Sequence, residues 1–393
     1  MNYILFDSVA RTNLLPLTFT RPVADIRFGI LTIRQKWEKY LNATTSSLTE
    51  PYLSQKFPMI KANENLLING SICPTKKLVN QINKLEPGQT LAKGDTVIAM
   101  CLTAELLESF VESDAENTII YDDELLKIDN TWDIFNLNGE AIKEDFDLLT
   151  KGRKSQKLSN TNRVVAENNI FIEEGAKVEF AILNASTGPI YIGHSAEIME
   201  GSKIRGPFAL CDHGVLKMDA KIYGPTTIGP YSKIGGEVNQ SVIFGYTNKA
   251  HDGFLGHSVL GEWCNLGADT NTSNLKNNYE VVKLWNYAED SFVQTGLQFC
   301  GTIMGDHSKC GINTMFNTGT IVGVNANIFG AGYQRNFVPS FSWGGTHGFV
   351  DFDLKKAFNI AKAVYNRRGI EFDKTEQDIL TEIYNLTHKN RRA

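Results

Sequence analysis

The sequence predicts two domains: an α/β domain first, then a solenoid of short parallel strands that ends in helices. The main observation is a run of aliphatic residues at every sixth position. Its members are Ile192, Ile198, Ile204, Leu210, Leu216, Ile222, Ile228 and Ile234. A period of six matches neither a helix nor the alternation of a strand. It is typical of a three-sided coil, in which each repeat buries its apolar residue only by stacking on the next repeat.

The second observation is the composition of the chain. Its 393 residues are enough for two domains, and its net charge of −5 does not favour a nucleic-acid partner. The six cysteines are scattered without a CxxC pair and are expected to be reduced thiols. The sequence shows neither a signal segment nor an apolar run of membrane length. We therefore expect a cytoplasmic protein with no membrane partner.

The third observation is the alternation of strand-like and helix-like segments over residues 1–150, which predicts an α/β layer. Strands are expected at 3–6, 65–69, 96–101 and 118–121, and helices at 32–41, from Pro74 onwards, at 103–112 and at 141–149. Residues 151–157 are charged and poor in apolar side chains, so a linker is predicted over residues 151–168.

The solenoid is expected over residues 169–340, because Ile172 and Val178 already lie six residues apart. The register breaks after Ile234, which predicts an inserted loop within residues 236–257.

The remaining residues, 341–393, are predicted to form a helical tail. Apolar side chains recur at helical spacing over 352–366 and 375–387, and Thr375 is the expected cap of the second helix. We expect these helices to cover the open end of the solenoid or to pack on a neighbour.

The densest run of polar residues spans positions 248–278. It contains Lys249-Ala-His251, then Leu255-Gly and Leu260-Gly, and then Asn265-Leu-Gly-Ala268. This arrangement resembles the acetyltransferase half of the bacterial enzymes that combine glucosamine-1-phosphate acetyltransferase with N-acetylglucosamine-1-phosphate uridyltransferase. The resemblance implies a left-handed parallel β-helix of hexapeptide repeats, with His251 as the general base.

The same resemblance implies which residues contact the substrates. Lys249, Phe254, Asn265, Asn274 and Lys276 would bind the amino sugar and its phosphate, and Ala268 and Thr295 would contact acetyl-CoA. The family pattern is interrupted in this chain: one Gly of its Lys-Ala-Gly-His run is missing, its Tyr is Phe254, and no Arg follows Gly206-Pro-Phe. These departures leave the identity of the sugar open.

The chemistry favours His251 independently of the resemblance. An amine must lose a proton to attack a thioester, and imidazole is the usual base near neutral pH. Considered alone, His251 could also be a loop histidine that bonds a backbone carbonyl. His257 and His307 are interpreted as structural.

Near the N-terminus, Pro16-Leu-Thr-Phe-Thr-Arg-Pro22 resembles a stretch of the sugar-1-phosphate nucleotidyltransferases. The resemblance implies phosphate contacts from Arg11, Thr18, Arg21 and Arg27, and a ligand for Mg²⁺ at Asp25. The glycine-rich phosphate loop of that family is replaced by residues 7–13, which contain no glycine, and its catalytic Lys position is Val23. A domain that has lost this activity and serves packing or regulation is the alternative.

Together, the two halves resemble a divergent bifunctional family of Bacteroidetes-type bacteria. Membership would imply N-acetylation of glucosamine 1-phosphate by acetyl-CoA and uridylyl transfer from UTP, two steps towards UDP-N-acetylglucosamine and cell-envelope precursors. Because a short coil exposes an apolar flank and the resembling enzymes bind coenzyme A between subunits, a homotrimer is expected.

Two other classes of function stay open. A metal hydratase similar to the γ-type carbonic anhydrases would hold zinc with three histidines at the interface between subunits, here His251, His257 and His307. A non-catalytic sugar-nucleotide sensor or scaffold would bind similar ligands without turnover.

Overall fold

The computed structural model describes residues 1–108 and 117–391. Its contacts divide the chain into two compact units. The first comprises Met1–Leu14, Thr20–Ile26 and Leu31–Asp129, and the second comprises Leu15–Phe19, Arg27–Ile30 and Asn130–Ala393. This division falls before the predicted linker, because Ile142 on the helix at 138–150 packs with Phe171 and Tyr191 of the solenoid.

The first unit is built on a mixed sheet. Its strands lie in the order Ser46–Leu48, Asn2–Phe6, Glu64–Asn69, Thr96–Thr103, Gln89–Lys93 and Asn117–Ile120. The first three run parallel, and Thr96–Thr103 is antiparallel to both of its neighbours. Its helices are Ala10–Asn13, Ile33–Leu41, Lys76–Ile82 and Ala104–Glu108, with 3₁₀ turns at Val23–Asp25 and Pro51–Leu53. Residues 109–112 of the predicted helix at 103–112 lie outside the described residues.

The helix Ile33–Leu41 shows how local sequence sets these boundaries. The Thr32 hydroxyl accepts a hydrogen bond from the Gln35 amide at 3.2 Å, and the Gln35 side chain accepts one from the Thr32 amide at 2.9 Å. This capping box fixes the start of the helix. Asn42, in the left-handed region with φ 49°, ends it.

The second unit contains a three-sided parallel β-helix whose faces we name A, B and C. Face A holds Arg163–Val165, Ile182–Asn184, Lys203–Arg205, Lys221–Tyr223, Glu237–Asn239 and Phe254–Gly256. Face B holds Ile170–Ile172, Ile190–Ile192, Phe208–Leu210, Thr226–Ile228, Val242–Gly245, Val259–Glu262, Thr302–Met304, Thr320–Val322 and Phe337–Val338. Face C holds Lys177–Val178, Glu197–Ile198, Val215–Leu216, Lys233–Ile234, Asn248–Lys249, Asn265–Leu266, Lys309–Cys310, Asn327–Ile328, Ser342–Gly345 and Gly348–Asp351.

The aliphatic run found in the sequence forms the core of this coil. All eight of its residues are at most 3% exposed, and successive members lie on faces B, C and A in turn. Stacking each member on its equivalent one coil later buries the column from end to end. The predicted fold class, a nucleotidyltransferase-like α/β domain followed by a left-handed parallel β-helix with C-terminal helices, is confirmed.

The corner between faces B and C repeats from coil to coil. His213, Tyr231, Tyr246 and Trp263 all occupy it with φ between 53° and 62°. Their rings stack in sequence, with centroids 4.6, 5.1 and 4.2 Å apart. This spacing is close to the distance of about 4.8 Å between paired strands, so the corner keeps the coils in register.

The predicted inserted loop within residues 236–257 is wrong. The coil continues there with shorter sides, and its inward residues are Val238, Ile243, Lys249 and Leu255. The insertion lies later, between Asn274 and Cys300, and carries the antiparallel hairpin Lys283–Asn286 with Ser291–Gln294. The Cys300 amide donates to the Asn274 carbonyl at 2.9 Å, so the chain returns to the corner that it left.

Helices flank the solenoid at both ends of its sequence. They are Asp133–Asn136, Asn138–Thr150, Leu354–Asn366, Lys374–Leu386 and His388–Arg391, with 3₁₀ turns at Leu17–Phe19 and Glu167–Asn169. The expected cap Thr375 is wrong: the Asp373 carboxylate accepts from the Glu376 amide at 2.9 Å and starts the helix earlier. Among the described residues, no helix combines the length and the apolar character needed to cross a membrane.

Candidate functional site

His251 lies on an exposed turn at the corner between faces C and A. The turn connects the strand Asn248–Lys249 to the strand Phe254–Gly256, and both His251 and Asp252 are exposed. Gly253, with φ 116°, closes the turn where a Cβ atom would come within 2.3 Å of the Thr270 carbonyl oxygen. The turn therefore requires glycine at this position.

The next coil brings two further predicted residues to the same corner. Asn248 pairs with Asn265, seventeen positions later, and the Asp269 amide donates to the Asp252 carbonyl at 3.0 Å with the same offset. This register puts Ala268 beside His251. Asn265 is exposed on face C of that coil. Ala268 thus lies at the same corner as His251 on the next coil, and Asn265 lies on the adjoining face C, where it pairs with Asn248.

The same offset of seventeen residues brings further polar side chains together along face A. The Asn271 side-chain oxygen accepts from the Phe254 amide at 3.0 Å, and the Asn274 side-chain nitrogen lies 2.8 Å from the His257 Nδ1 atom. Gly256 makes room for this second contact, because a Cβ there would lie 2.5 Å from the Asn274 nitrogen. Asn271 was not singled out from the sequence. The seventeen-residue offset is the signal that would have found it.

His257 differs from His251 in its surroundings. Its ring stacks on Phe299 with centroids 5.0 Å apart and meets the edge of Phe135 at 5.9 Å. Burial lowers the pKa of His257 to about 4, so the ring is neutral at pH 7. A group with such a low pKa is a weak proton acceptor, which agrees with the structural role expected for His257.

Three predicted ligand contacts of the second unit have internal partners. Lys249 is 1% exposed, and its ammonium donates to the carbonyls of Gly235 and His251. The Thr295 hydroxyl donates to the Val282 carbonyl at 2.9 Å, at the base of the inserted hairpin. Lys276 is partly exposed; its Nζ lies 3.3 Å from the Val281 carbonyl oxygen and 3.9 Å from the Glu280 carboxylate, which a phosphate would have to displace. Of these three, Lys276 is the residue that a ligand can reach.

The three histidines of the hydratase alternative lie at three different corners. His251 lies between faces C and A, His257 between A and B, and His307 between B and C. Within residues 1–108 and 117–391, no group of three or more His, Cys, Asp or Glu is arranged to hold a metal ion. A three-histidine zinc site inside one chain is therefore not formed.

In the first unit, Arg11 lies at the carboxyl end of the strand Asn2–Phe6. Its guanidinium pairs with Asp7 at 3.0 Å and with Glu50 at 3.4 Å, and donates to the Tyr52 hydroxyl at 3.0 Å. The Asp7 carboxylate also accepts from the Val23 amide at 2.7 Å and from the Thr49 hydroxyl at 2.6 Å. Burial raises the pKa of Asp7 despite these contacts. The predicted phosphate contact is thus part of an internal network.

Asp25, the predicted metal ligand, forms an ion pair with Arg34. Both carboxylate oxygens accept from the guanidinium, at 2.7 to 3.1 Å. Arg34 supplies the positive charge that a cation would bring, so this arrangement does not fit Mg²⁺.

The other predicted phosphate contacts are buried. Thr18 is 0% and Arg21 5% exposed, and the Arg21 carbonyl accepts from Arg11 at 3.4 Å. Arg27 is also buried, and its guanidinium donates to the carbonyls of Phe244 and Ile30. Arg27 therefore attaches residues 27–30 to the solenoid instead of facing a ligand. Sequence spacing does not reveal such a partner more than two hundred residues away.

Comparison with known proteins supports the resemblance seen in the sequence. Residues 3–154 match the family described as sugar nucleotidyl transferase. A bifunctional sugar-1-phosphate nucleotidylyltransferase/acetyltransferase of Sulfurisphaera tokodaii is 26% identical over 170 residues, which are 43% of this chain and 40% of that protein. The bifunctional protein GlmU of Methanocaldococcus jannaschii is 37% identical over 92 residues, which are 23% of this chain and 22% of that protein.

Solved structures add a weaker similarity. An Arabidopsis UDP-N-acetylglucosamine acyltransferase aligns with 60% of this chain and 82% of its own at 14% identity, and its TM-score of 0.22 is too low to bear on function. The chain spans less than half the length of the curated relatives that it matches. The predicted resemblance to bifunctional nucleotidyltransferase/acetyltransferases is confirmed as sequence similarity over parts of the chain.

Proposed function

We propose that the second unit transfers an acetyl group from acetyl-CoA to the amine of an amino-sugar 1-phosphate, with glucosamine 1-phosphate as the first candidate. The observation that carries the proposal is the exposed turn of His251, which has Ala268 of the next coil beside it in register and an exposed Asn265 on the adjoining face C. The relatives support it, because their printed names include an acetyltransferase. Both substrates are intracellular metabolites, so we place the reaction in the cytoplasm.

In the proposed reaction, His251 acts as the general base. The amine nitrogen attacks the thioester carbonyl carbon while the His251 imidazole accepts a proton from that nitrogen. The tetrahedral intermediate then expels the sulfur of coenzyme A, which takes up the proton from the imidazolium. The products are the N-acetylated sugar phosphate and free coenzyme A. A positioned base of this kind contributes about 10²- to 10⁴-fold to the rate.

The neighbouring residues hold the substrates in this proposal. The Asn265 amide can donate to and accept from sugar hydroxyls without competing for the amine proton. The partly exposed Lys276 ammonium would pair with the sugar phosphate. Ala268, which has no bulky side chain, leaves room for the thioester beside His251. Phe254 offers an apolar ring where the resembling enzymes have a hydroxyl.

A second activity, nucleotidyl transfer from UTP by the first unit, is favoured by the family match over residues 3–154. It would require Arg11 to leave Asp7 and Glu50 before it could contact a phosphate. Asp25 is paired with Arg34 at 2.7 Å and is not assigned a metal in this proposal.

One incubation separates these functions. The protein is mixed with glucosamine 1-phosphate, acetyl-CoA, UTP and Mg²⁺, and each half-reaction is followed by mass. Acetylated sugar phosphate supports the first proposal, and a UDP-sugar with pyrophosphate supports the second. No turnover of either substrate would contradict both and favour the sensor or scaffold. Stoichiometric zinc together with hydration of carbon dioxide would favour the hydratase.

We further propose that the active assembly is a homotrimer. Val165, Phe180, Ile182 and Tyr223 are exposed on or beside face A, which gives the coil an apolar flank for association. Light scattering at micromolar concentration should give three times the chain mass, and a monomer would contradict this proposal.

A further inference from the structure

Lys249 faces the core of the solenoid, at a position where the repeat of the other coils has an apolar residue. It pairs in register with Ile234, and the inward column to which both belong runs along face C. The other members of this column are Val178, Ile198, Leu216, Leu266, Cys310 and Ile328. Lys249 is 1% exposed. A lysine buried among such neighbours loses its hydration, so the fold must offer its ammonium other partners.

The partners of this ammonium are two backbone carbonyls on neighbouring coils. Its Nζ atom donates to the Gly235 carbonyl at 3.0 Å and to the His251 carbonyl at 2.7 Å. Gly235 belongs to the turn one coil earlier, and His251 belongs to the exposed turn of the candidate site. The buried charge thus joins the two turns from inside the coil, and hydrogen bonds to a charged donor are stronger than neutral ones.

The exposed turn is also held from both sides by its neighbours. The Glu237 amide, one coil earlier, donates to the Gly253 carbonyl at 3.0 Å, and the Asp269 amide, one coil later, donates to the Asp252 carbonyl at 3.0 Å. Neither bond reaches the peptide of His251 itself. The Lys249 ammonium is the group that fixes the carbonyl of this residue.

We propose that Lys249 is a positioning residue. By binding the His251 carbonyl, its ammonium fixes the backbone of the turn, and this backbone holds the His251 imidazole where the substrates can reach it. The inference rests on the proposed function, in which His251 is the base. It replaces the expectation that Lys249 binds the sugar, because an ammonium with two internal partners and 1% exposure does not reach a ligand. Lys249 acts instead from beneath the site.

The variant Lys249→Met tests this role, because methionine has a similar length but no charge and no donor. We expect kcat for acetyl transfer to fall by about tenfold to a hundredfold, since small misplacements of a catalytic group have effects of this size. KM for both substrates should change little. Hydrogen exchange at the amides of residues 251–253 should become faster. Leu216→Ala, two coils away in the same column, is the matched control for lost core packing and should change neither the exchange at these amides nor kcat.

Several outcomes would overturn the proposal. One is unchanged kcat and unchanged exchange in Lys249→Met. Another is an equal fall of kcat in Lys249→Met and in Leu216→Ala, which would mean that Lys249 serves stability alone. If Lys249→Met does not fold, Lys249→Gln takes its place, because glutamine is too short to reach both carbonyls.

The exchange measurement also separates this inference from the proposed function. If His251→Ala keeps full activity, His251 is not the base and the proposed mechanism fails. Faster exchange at the turn in Lys249→Met would still show that Lys249 holds the His251 backbone. Unchanged exchange would show that it does not, whatever the role of His251.

Discussion

The two units of this protein use their polar side chains in opposite ways. In the first unit, Arg11 is surrounded by Asp7, Glu50 and the Tyr52 hydroxyl. In the second, the His251 ring and the Asn265 side chain are exposed and form no hydrogen bond with the described part of the chain. The Arg11 guanidinium is neutralised internally, whereas the His251 and Asn265 side chains remain open to a ligand.

This difference separates two kinds of candidate site. A phosphate that approaches Arg11 must displace carboxylates that already pair with it, and breaking such a partly buried pair is costly. A sugar that approaches His251 and Asn265 displaces only water. The proposed acetyl transfer therefore breaks no internal ion pair of His251 or Asn265, whereas nucleotidyl transfer would require Arg11 to leave Asp7 and Glu50.

The strongest test of the open site is His251→Ala. We expect acetyl transfer to fall by about 10²- to 10⁴-fold, because the amine then loses its proton acceptor. Binding of acetyl-CoA should stay near wild type, and the pH profile of the residual rate should differ from that of wild type. His194→Ala, at an exposed histidine of another corner, is the control. If His251→Ala keeps most of its turnover with an unchanged pH profile, His251 is only a loop histidine.

The closed network of the first unit is tested by Arg11→Met. Removing the guanidinium leaves the Asp7 carboxylate, 8% exposed, without its cation. We expect the free energy of unfolding of this unit to fall by about 3–5 kcal/mol, as for other broken buried pairs. Hydrogen exchange in the strand Asn2–Phe6 measures it. The exposed pair of Lys77 with Asp123 provides the control, and Lys77→Met should have little effect. Equal, small effects would mean that Arg11 is free to serve a ligand.

A third test compares the pH dependence of stability with and without the Lys249 charge. Burial lowers the pKa of Lys249 to about 8 in the folded protein, against the attraction of Asp252, Cys310 and Asp269. Between this value and the ordinary 10.5, the unfolded state binds more protons, so the free energy of unfolding rises with pH, by about 3 kcal/mol in total.

Urea unfolding from pH 7 to 11 measures this rise in wild type and in Lys249→Met. The variant should show a smaller rise. It keeps the part due to Lys309, whose pKa burial also lowers to about 8. Parallel curves for the two proteins would mean that the Lys249 ammonium is not buried in solution.

The smallest effect is expected for Gly256→Ala. The new methyl group would lie 2.5 Å from the Asn274 side-chain nitrogen, so this amide must move away from His257. Overpacking of this kind costs about 1–3 kcal/mol of stability. If Asn274 contacts the sugar, KM for the sugar phosphate should rise while kcat changes little. Gly311→Ala is the control, since its methyl group would meet Phe329 at an ordinary 3.6 Å. Unchanged KM in Gly256→Ala would remove Asn274 from the binding site.

The periodic part of the fold was predictable because its physics is local. Each coil contacts only its neighbours, so a spacing of six residues specifies both the strand and the inward direction of its side chain. The prediction failed after Ile234 because the following sides are shorter and because Lys249 takes an inward position. A search for aliphatic residues at fixed spacing does not find a lysine, even where two backbone carbonyls bind its ammonium and allow it to face inward.

The candidate site was predictable in part for the same reason. His251, Asn265 and Ala268 follow from a motif whose register the coil preserves. The roles of Asp25 and Arg27 could not be predicted from the sequence. Their partners, Arg34 and the Phe244 carbonyl, are brought to them by the tertiary fold and not by a regular spacing in the sequence. Asn271 was missed because its relation to Phe254 depends on the seventeen-residue offset, which becomes visible only when the strands are paired.

The insertion between Asn274 and Cys300 has a consequence for how such a protein can diversify. Its two ends are joined by a hydrogen bond of 2.9 Å, so the columns of the coil continue across it as if it were absent. Val282 and Leu284 of this segment are buried, so its exposed residues are the ones that can differ between homologous proteins while the solenoid keeps its register. Because Lys276 is partly exposed on this segment, a change there would alter the contact proposed for the sugar phosphate and leave the His251 turn in place. In the proposed reaction, a change of specificity therefore does not require a change in the coils of the solenoid.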